Sequence, residues 1–276
     1  MEYDKFLAAI LWTKAEWGKR KPKRESGCQK YQDFSYVALR ARGNNYWLHL
    51  EKMNKAKLEK EIIDCFLNTR RWFCYLDPPG TPRRQRMVCN LKKAVDKLPD
   101  FYAALKGFGL EDMHFGKCNL WLIDQVYSIF RQIEPKFGAV PASKLMHMAL
   151  PNLFMMWDGA IIKEYGVKKQ GLPGFGRRVW SYTAFLMLMQ ENIRHIKETN
   201  PRGSSVTNQE LFQQINGRCG YDNLPITRLL DIANYAVSRK GSGIKCSKCI
   251  KATNSKLKAM KWYDERYKPK KPFLDC

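Results

Sequence analysis

Apolar residues along this chain recur mostly three and four positions apart, the period of a helix with one buried face. In residues 3–17 they fall at Tyr3, Phe6, Leu7, Ile10, Leu11 and Trp12. Pro22 and Gly27 then break the pattern. Residues 52–72 carry Leu58, Ile62, Phe66 and Leu67 on one helical face. Short helices are predicted at 90–97 and 100–108, the second ending at Gly109. Residues 119–133 place Leu120, Ile123, Val126, Tyr127 and Phe130 along one stripe. Further helices are predicted at 142–150, 159–165, 177–199, 208–215 (closed by Gly217) and 226–239. Only residues 34–50 read differently. There Phe34, Tyr36, Val37, Tyr46 and Trp47 surround Arg42-Gly43-Asn44-Asn45, which admits one small β-hairpin. The expected fold class is therefore all-α, with at most that hairpin. Asp77-Pro78-Pro79-Gly80-Thr81-Pro82 is dense in helix breakers and is the expected linker. Three regions follow: an N-terminal helical segment with a basic loop (1–80), a helical core (81–240) and a basic, aromatic tail (241–276).

Charge changes the picture. The 276 residues hold 49 Lys and Arg against 26 Asp and Glu, a formal charge of +23. Such an excess repels itself in a compact state and calls for a polyanionic partner, most commonly nucleic acid. The excess is clustered. Lys19, Arg20, Lys21, Lys23 and Arg24 form one knot, and Arg83, Arg84 and Arg86 another. Between Lys245 and Lys271 ten Lys and Arg face only Asp264 and Glu265, with Trp262, Tyr263, Tyr267 and Phe273 in or beside the run. Cations neutralise phosphates and aromatic faces stack on unpaired bases. Anionic lipid is the competing partner for the charge. No apolar run reaches the roughly 20 residues that span a bilayer, and Glu2, Asp4, Lys5, Lys14 and Glu16 make residues 1–17 a poor signal peptide. A 45% apolar content provides for a real core. The expectation is a monomeric, cytoplasmic (nucleoid) or nuclear protein that binds nucleic acid and no membrane.

Nine cysteines are an odd number, and they are scattered. They read as reduced thiols rather than a disulfide framework. Cys246 and Cys249 form a CxxC pair, but Cys219 and Cys276 each lie 27 positions from its nearer member. That spacing fits neither zinc nor iron–sulfur ligation. No phosphate-binding Lys loop or dinucleotide fingerprint occurs. No metal and no cofactor is expected.

The stretch with candidate chemistry is residues 137–165. After the 119–133 helix comes the apolar turn Phe137-Gly138-Ala139-Val140-Pro141, then a second helix entered near Ala142. This outlines a helix–hairpin–helix, whose turn amides and following helix N-terminus can hold a phosphate. Gly138, Val140 and Ser143 are the candidate contacts. Pro151 stops the second helix, residues 153–157 run extended, and Asp158 stands where an N-cap belongs before the 159–165 helix.

On these residues the chain resembles the helix–hairpin–helix DNA glycosylase superfamily, of the endonuclease III type. In that family the helix after the hairpin bears a catalytic Lys, and an extended run then ends in an Asp that caps the next helix. Lys144 and Asp158 stand in that order, 14 positions apart. The turn departs from the family's Leu-Pro-Gly-Val-Gly in having one Gly, with Pro141 at the place of the second. The resemblance implies a two-lobed helical fold and a duplex DNA partner whose target nucleotide is flipped out. It implies that Lys144 attacks the sugar as a neutral amine to form a Schiff base. It further implies that Asp158 stabilises positive charge or moves protons. His147, Phe154 and Trp157 would then line a base pocket. A plainer reading accounts for the same residues. It makes Lys144 a surface lysine, Asp158 only a cap, His147 a structural histidine, and Met146, Met148, Met155 and Met156 core filler.

A second hairpin-like string, Gly171-Leu172-Pro173-Gly174-Phe175-Gly176-Arg177-Arg178, precedes the 177–199 helix. It has no Lys just beyond it, and a guanidinium stays protonated and cannot be the nucleophile. Gly174, Gly176, Arg177 and Arg178 are therefore candidate backbone contacts to DNA, as are Lys245, Lys248 and Lys251 in the tail. Two functions follow: a base-excision enzyme (DNA glycosylase, with abasic-site lyase activity) or a non-catalytic all-α nucleic-acid-binding protein.

Overall fold

The 3.6-residue period becomes helix throughout a computed structural model of the chain, which describes residues 1–19, 80–95, 97–133, 139–157, 161, 165, 179–240 and 246–259. The described residues are mainly helical and contain no strand, so the chain is all-α. The candidate hairpin at 34–50 and the helix at 52–72 lie outside them. In chain order the helices are α1 (Tyr3–Lys19), α2 (Pro82–Val95), α3 (Leu98–Leu105), α4 (Lys117–Ile133), α5 (Ala139–Ala149), α6 (Val179–Glu198), α7 (Asn208–Cys219), α8 (Ile226–Lys240) and α9 (Ser247–Ala259). Among the described residues no helix is long and apolar enough to cross a membrane.

Two helices form the centre. In α6 every residue from Tyr182 to Met189 is buried, and in α8 every residue from Ile226 to Asn234. A helix buried on all sides must be covered on all sides. On α6 lie α1, α4 and α9; on α8 lies α1. The stripe of α1 is the one its sequence spacing predicts: Tyr3, Phe6, Leu7 and Ile10 are buried, while Leu11 is exposed. Polar contacts fix its placement. Thr13 Oγ1 donates to the Ile232 carbonyl at 3.0 Å, and the Tyr3 amide donates to Thr199 Oγ1 at 2.9 Å. Thus α1 belongs to the same core as the C-terminal helices.

Helix ends follow local chemistry, with four departures from the sequence reading. Ala139, Val140 and Pro141, placed there in the hairpin turn, are the first residues of α5, since a proline fits the opening turn of a helix. Pro82, placed there in the linker, is the first residue of α2, where its missing N–H is no loss. Helix α7 runs through Gly217 to Cys219, because burial of Cys219 holds the last turn. It stops at Gly220, whose φ of +63° is the left-handed conformation that glycine adopts freely. Lys14 Nζ from α1 donates to the Cys219 and Gly220 carbonyls at 2.7 and 3.1 Å, satisfying groups that the helix end leaves open. The fourth departure is α9, which the sequence reading left inside a basic tail. Its buried side is Cys249 and Thr253, residues too small and polar to register as an apolar stripe.

At the start of α7, Thr207 and Glu210 form a reciprocal capping box. Thr207 Oγ1 accepts from the Glu210 amide at 3.2 Å, and Glu210 Oε2 accepts from the Thr207 amide at 2.8 Å. Thr207→Ala is expected to cost about 1 kcal/mol, read as a lower urea midpoint with an unchanged m-value.

Candidate functional site

After α5 the chain makes a turn at 151–153, closed by the Leu153 and Phe154 amides on the Leu150 carbonyl, and then runs to residue 157 without regular secondary structure, yet Leu153, Phe154, Met155, Met156 and Trp157 are all in the core. Backbone buried outside helix and sheet must find other hydrogen-bond partners; here side chains of neighbouring helices supply them. Ser143 Oγ of α5 accepts from the Trp157 amide at 2.9 Å. His147 Nδ1 lies 2.6 Å from the Phe154 carbonyl. A carbonyl only accepts, so the proton sits on Nδ1. Tyr182 of α6 donates from its hydroxyl to the Met155 carbonyl at 2.8 Å, and Thr227 of α8 donates to the Pro151 carbonyl. Burial pushes the Tyr182 phenol well above its ordinary value, with the nearby Tyr127 adding to the rise, so it stays a donor.

Aromatic rings complete the clamp. Trp157 stacks on Tyr182 at 5.3 Å and on Phe185 at 5.4 Å, and Tyr182 stacks in turn on Tyr127 at 4.7 Å. Such offset contacts add to the area buried. Trp157 Nε1 is buried without a hydrogen-bond partner among the described residues.

This geometry decides where the sequence-derived candidates stand. His147, Phe154 and Trp157, expected to line a base pocket, are 0%, 0% and 2% exposed and serve as core. A cavity does touch Phe154, between α3, α4 and α5, but it is lined by apolar groups and its volume of about 20 Å³ is far too small for a nucleobase. Ser143, expected at a phosphate, is fully buried, with its hydroxyl shared between the Val140 carbonyl and the Trp157 backbone. Both placements have one cause: a buried run outside helix and sheet needs side-chain partners, and α5 provides them. Val140 and Lys144 are half-buried on α5. Met146, Met155 and Met156 are core, as the plainer reading has it. Lys248 and Lys251 stand exposed on α9. Asp158, Gly138, Gly174, Gly176, Arg177, Arg178 and Lys245 lie outside the described residues.

Sequence reasoning missed the polar face of α8. Thr227, Arg228, Asp231 and Asn234 are all buried in the middle of the fold. Asn234 Oδ1 accepts from the Tyr165 hydroxyl at 2.6 Å, and Tyr165 sits edge-on to Phe185 in the Trp157 stack. Their spacing of three and four within an otherwise apolar helix was a readable signal, since polar residues on a core face need a reason. Among the described residues no group of three or more His, Cys, Asp or Glu is arranged to hold a metal ion.

No protein-family model, no curated protein and no solved structure matches the chain.

Proposed function

We propose that the protein binds DNA and acts on it as a base-excision enzyme, a DNA glycosylase with abasic-site lyase chemistry carried by Lys144 and Asp158. The supporting observation is the hydrogen bond between Ser143 and Trp157. It ties together two positions that each adjoin, in the chain, one member of the pair. In this reading the neutral Lys144 amine attacks the anomeric carbon of the abasic sugar and forms a Schiff base with loss of water. The Asp158 carboxylate stabilises the positive charge that develops on the sugar and relays protons. The +23 charge, with Lys248 and Lys251 exposed on α9, supplies attraction for the phosphates. Because His147, Phe154 and Trp157 are core, other residues must receive the flipped base.

Borohydride reduction in the presence of duplex DNA with an abasic site is expected to trap a covalent protein–DNA adduct, and Lys144→Ala to abolish it. An adduct that survives Lys144→Ala refutes the assignment. One observation favours a second reading, a non-catalytic all-α nucleic-acid-binding protein. The residues around Lys144 are fully engaged in packing and backbone hydrogen bonds. Tight duplex binding with no adduct and no base released from any lesion selects that reading.

A further inference from the structure

The CxxC pair is the one sequence feature that neither reading uses. The structure sets it at the start of α9, packed against α6. Cys246 is the N-cap: its carbonyl accepts the first helical bond, from Ile250 N at 3.0 Å. Its Sγ accepts from the Cys249 amide at 3.2 Å, as a capping oxygen would. The two thiols differ in access. Cys246 is partly exposed, whereas Cys249 is 2% exposed, with its thiol directed at the Glu191 carbonyl 3.6 Å away. Residues three apart at a helix start are near neighbours, within the separation a disulfide spans.

We propose that Cys246 and Cys249 are a thiol–disulfide exchange pair, with Cys246 as the attacking thiol and Cys249 as the resolving one. The Cys246 thiolate attacks one sulfur of a low-molecular-weight disulfide, RSSR, forming the mixed disulfide Cys246–SR and expelling RS⁻. The Cys249 thiol then loses its proton to solvent, and its sulfur attacks Cys246 Sγ, forming the intramolecular disulfide and expelling a second RS⁻. Two cysteine thiols are oxidised, RSSR is reduced to two RSH, and the two thiol protons end on the expelled thiolates.

The environment suits these roles. Partial burial raises the Cys246 thiol, but the neighbouring Cys249, whose amide donates to its sulfur, and the Met1 ammonium outweigh it and bring it below its ordinary value. Burial, joined by the neighbouring Cys246, pushes Cys249 well up. A partly exposed thiol with its pKa lowered therefore precedes a shielded one with its pKa raised. Once the disulfide forms, Cys249 no longer donates to the Glu191 carbonyl and Cys246 no longer caps its helix as a thiolate. Oxidation thus bears directly on how α9, with Lys248 and Lys251, sits on α6. The inference does not depend on what the protein does to DNA.

The test uses the full chain, incubated with oxidised glutathione and mapped by peptide mass spectrometry. Wild type is expected to yield the Cys246–Cys249 disulfide. Cys249→Ser should stop at a glutathione adduct on Cys246, and Cys246→Ser should give neither product. Iodoacetamide labelling of the unmodified protein needs no variant, so it holds even if Cys249→Ser folds poorly. At pH 7 Cys246 should react at least about threefold faster than the exposed Cys89 and Cys118. The proposal is overturned if Cys246 labels no faster than those two. It is equally overturned if oxidation links Cys246 to any other cysteine, or leaves the pair reduced while other cysteines take up glutathione.

Discussion

Trp157→Ala is expected to lower the unfolding free energy by about 3–5 kcal/mol, the range for truncating a large buried aromatic. The indole is 2% exposed and lies between Tyr182 and Phe185, so its removal leaves a hole lined by rings that are already fixed. Tyr182 cannot swing into that hole, since its hydroxyl is committed to the Met155 carbonyl and its other face to Tyr127. The loss should appear as a lower urea midpoint and, in consequence, a smaller soluble yield. Trp157→Phe, which keeps one ring in the stack, should recover a large part of it. A near-native midpoint for Trp157→Ala would mean that the indole lines an open pocket, and the base-pocket role would have to be reinstated.

The second large effect concerns one buried carboxylate. Glu191 of α6 is 2% exposed and is paired with Lys256 from α9 and Arg194 from its own helix. The cations are themselves accessible, at 45% and 59%, so the energetics are asymmetric. Removing the cations' charge leaves an uncompensated anion indoors; removing the anion lets both cations return to water. The double variant Arg194→Met/Lys256→Met keeps the aliphatic cover over Glu191 while deleting the charge. It is expected to cost about 3–5 kcal/mol. Arg194→Ala/Lys256→Ala opens the carboxylate to water and should cost less, and Glu191→Met added to the methionine pair should restore most of the stability. Equal midpoints for the Met and Ala pairs would show that Glu191 is hydrated in solution, and the argument from burial would fall. Because Lys256 reaches Glu191 from α9, near-ultraviolet circular dichroism of these variants also reports whether α9 remains docked.

Much of the fold is written in periodicity. The stripes of α1 and α4 came straight from spacing, because a long amphipathic helix repeats its message several times. Helix α9 was not legible, because its buried residues are Cys249 and Thr253, its larger apolar groups Ile250 and Leu257 are only partly covered, and the Lys256–Glu191 pair holds it from outside the stripe. The stop of α5 was readable from Pro151, and the burial of residues 153–157 was not. Whether an apolar run such as Leu153-Phe154-Met155-Met156-Trp157 lines a pocket or fills a core depends on what is laid over it. Here α5 and α6 flank it, and α8 ties down its start at Pro151.

By itself, then, the sequence determined a helical protein, the positions of most helices, a formal charge of +23, and the order of Lys144 and Asp158 along the chain. Tertiary structure alone decided that Ser143, His147 and Trp157 support the core, and that a partly exposed and a buried thiol share one helix start. The physical reason is that propensity, period and charge are properties of neighbouring residues. Burial, by contrast, is conferred by segments far away in the chain, and it is burial that turns a hydroxyl, an imidazole or a thiol toward either structure or reaction.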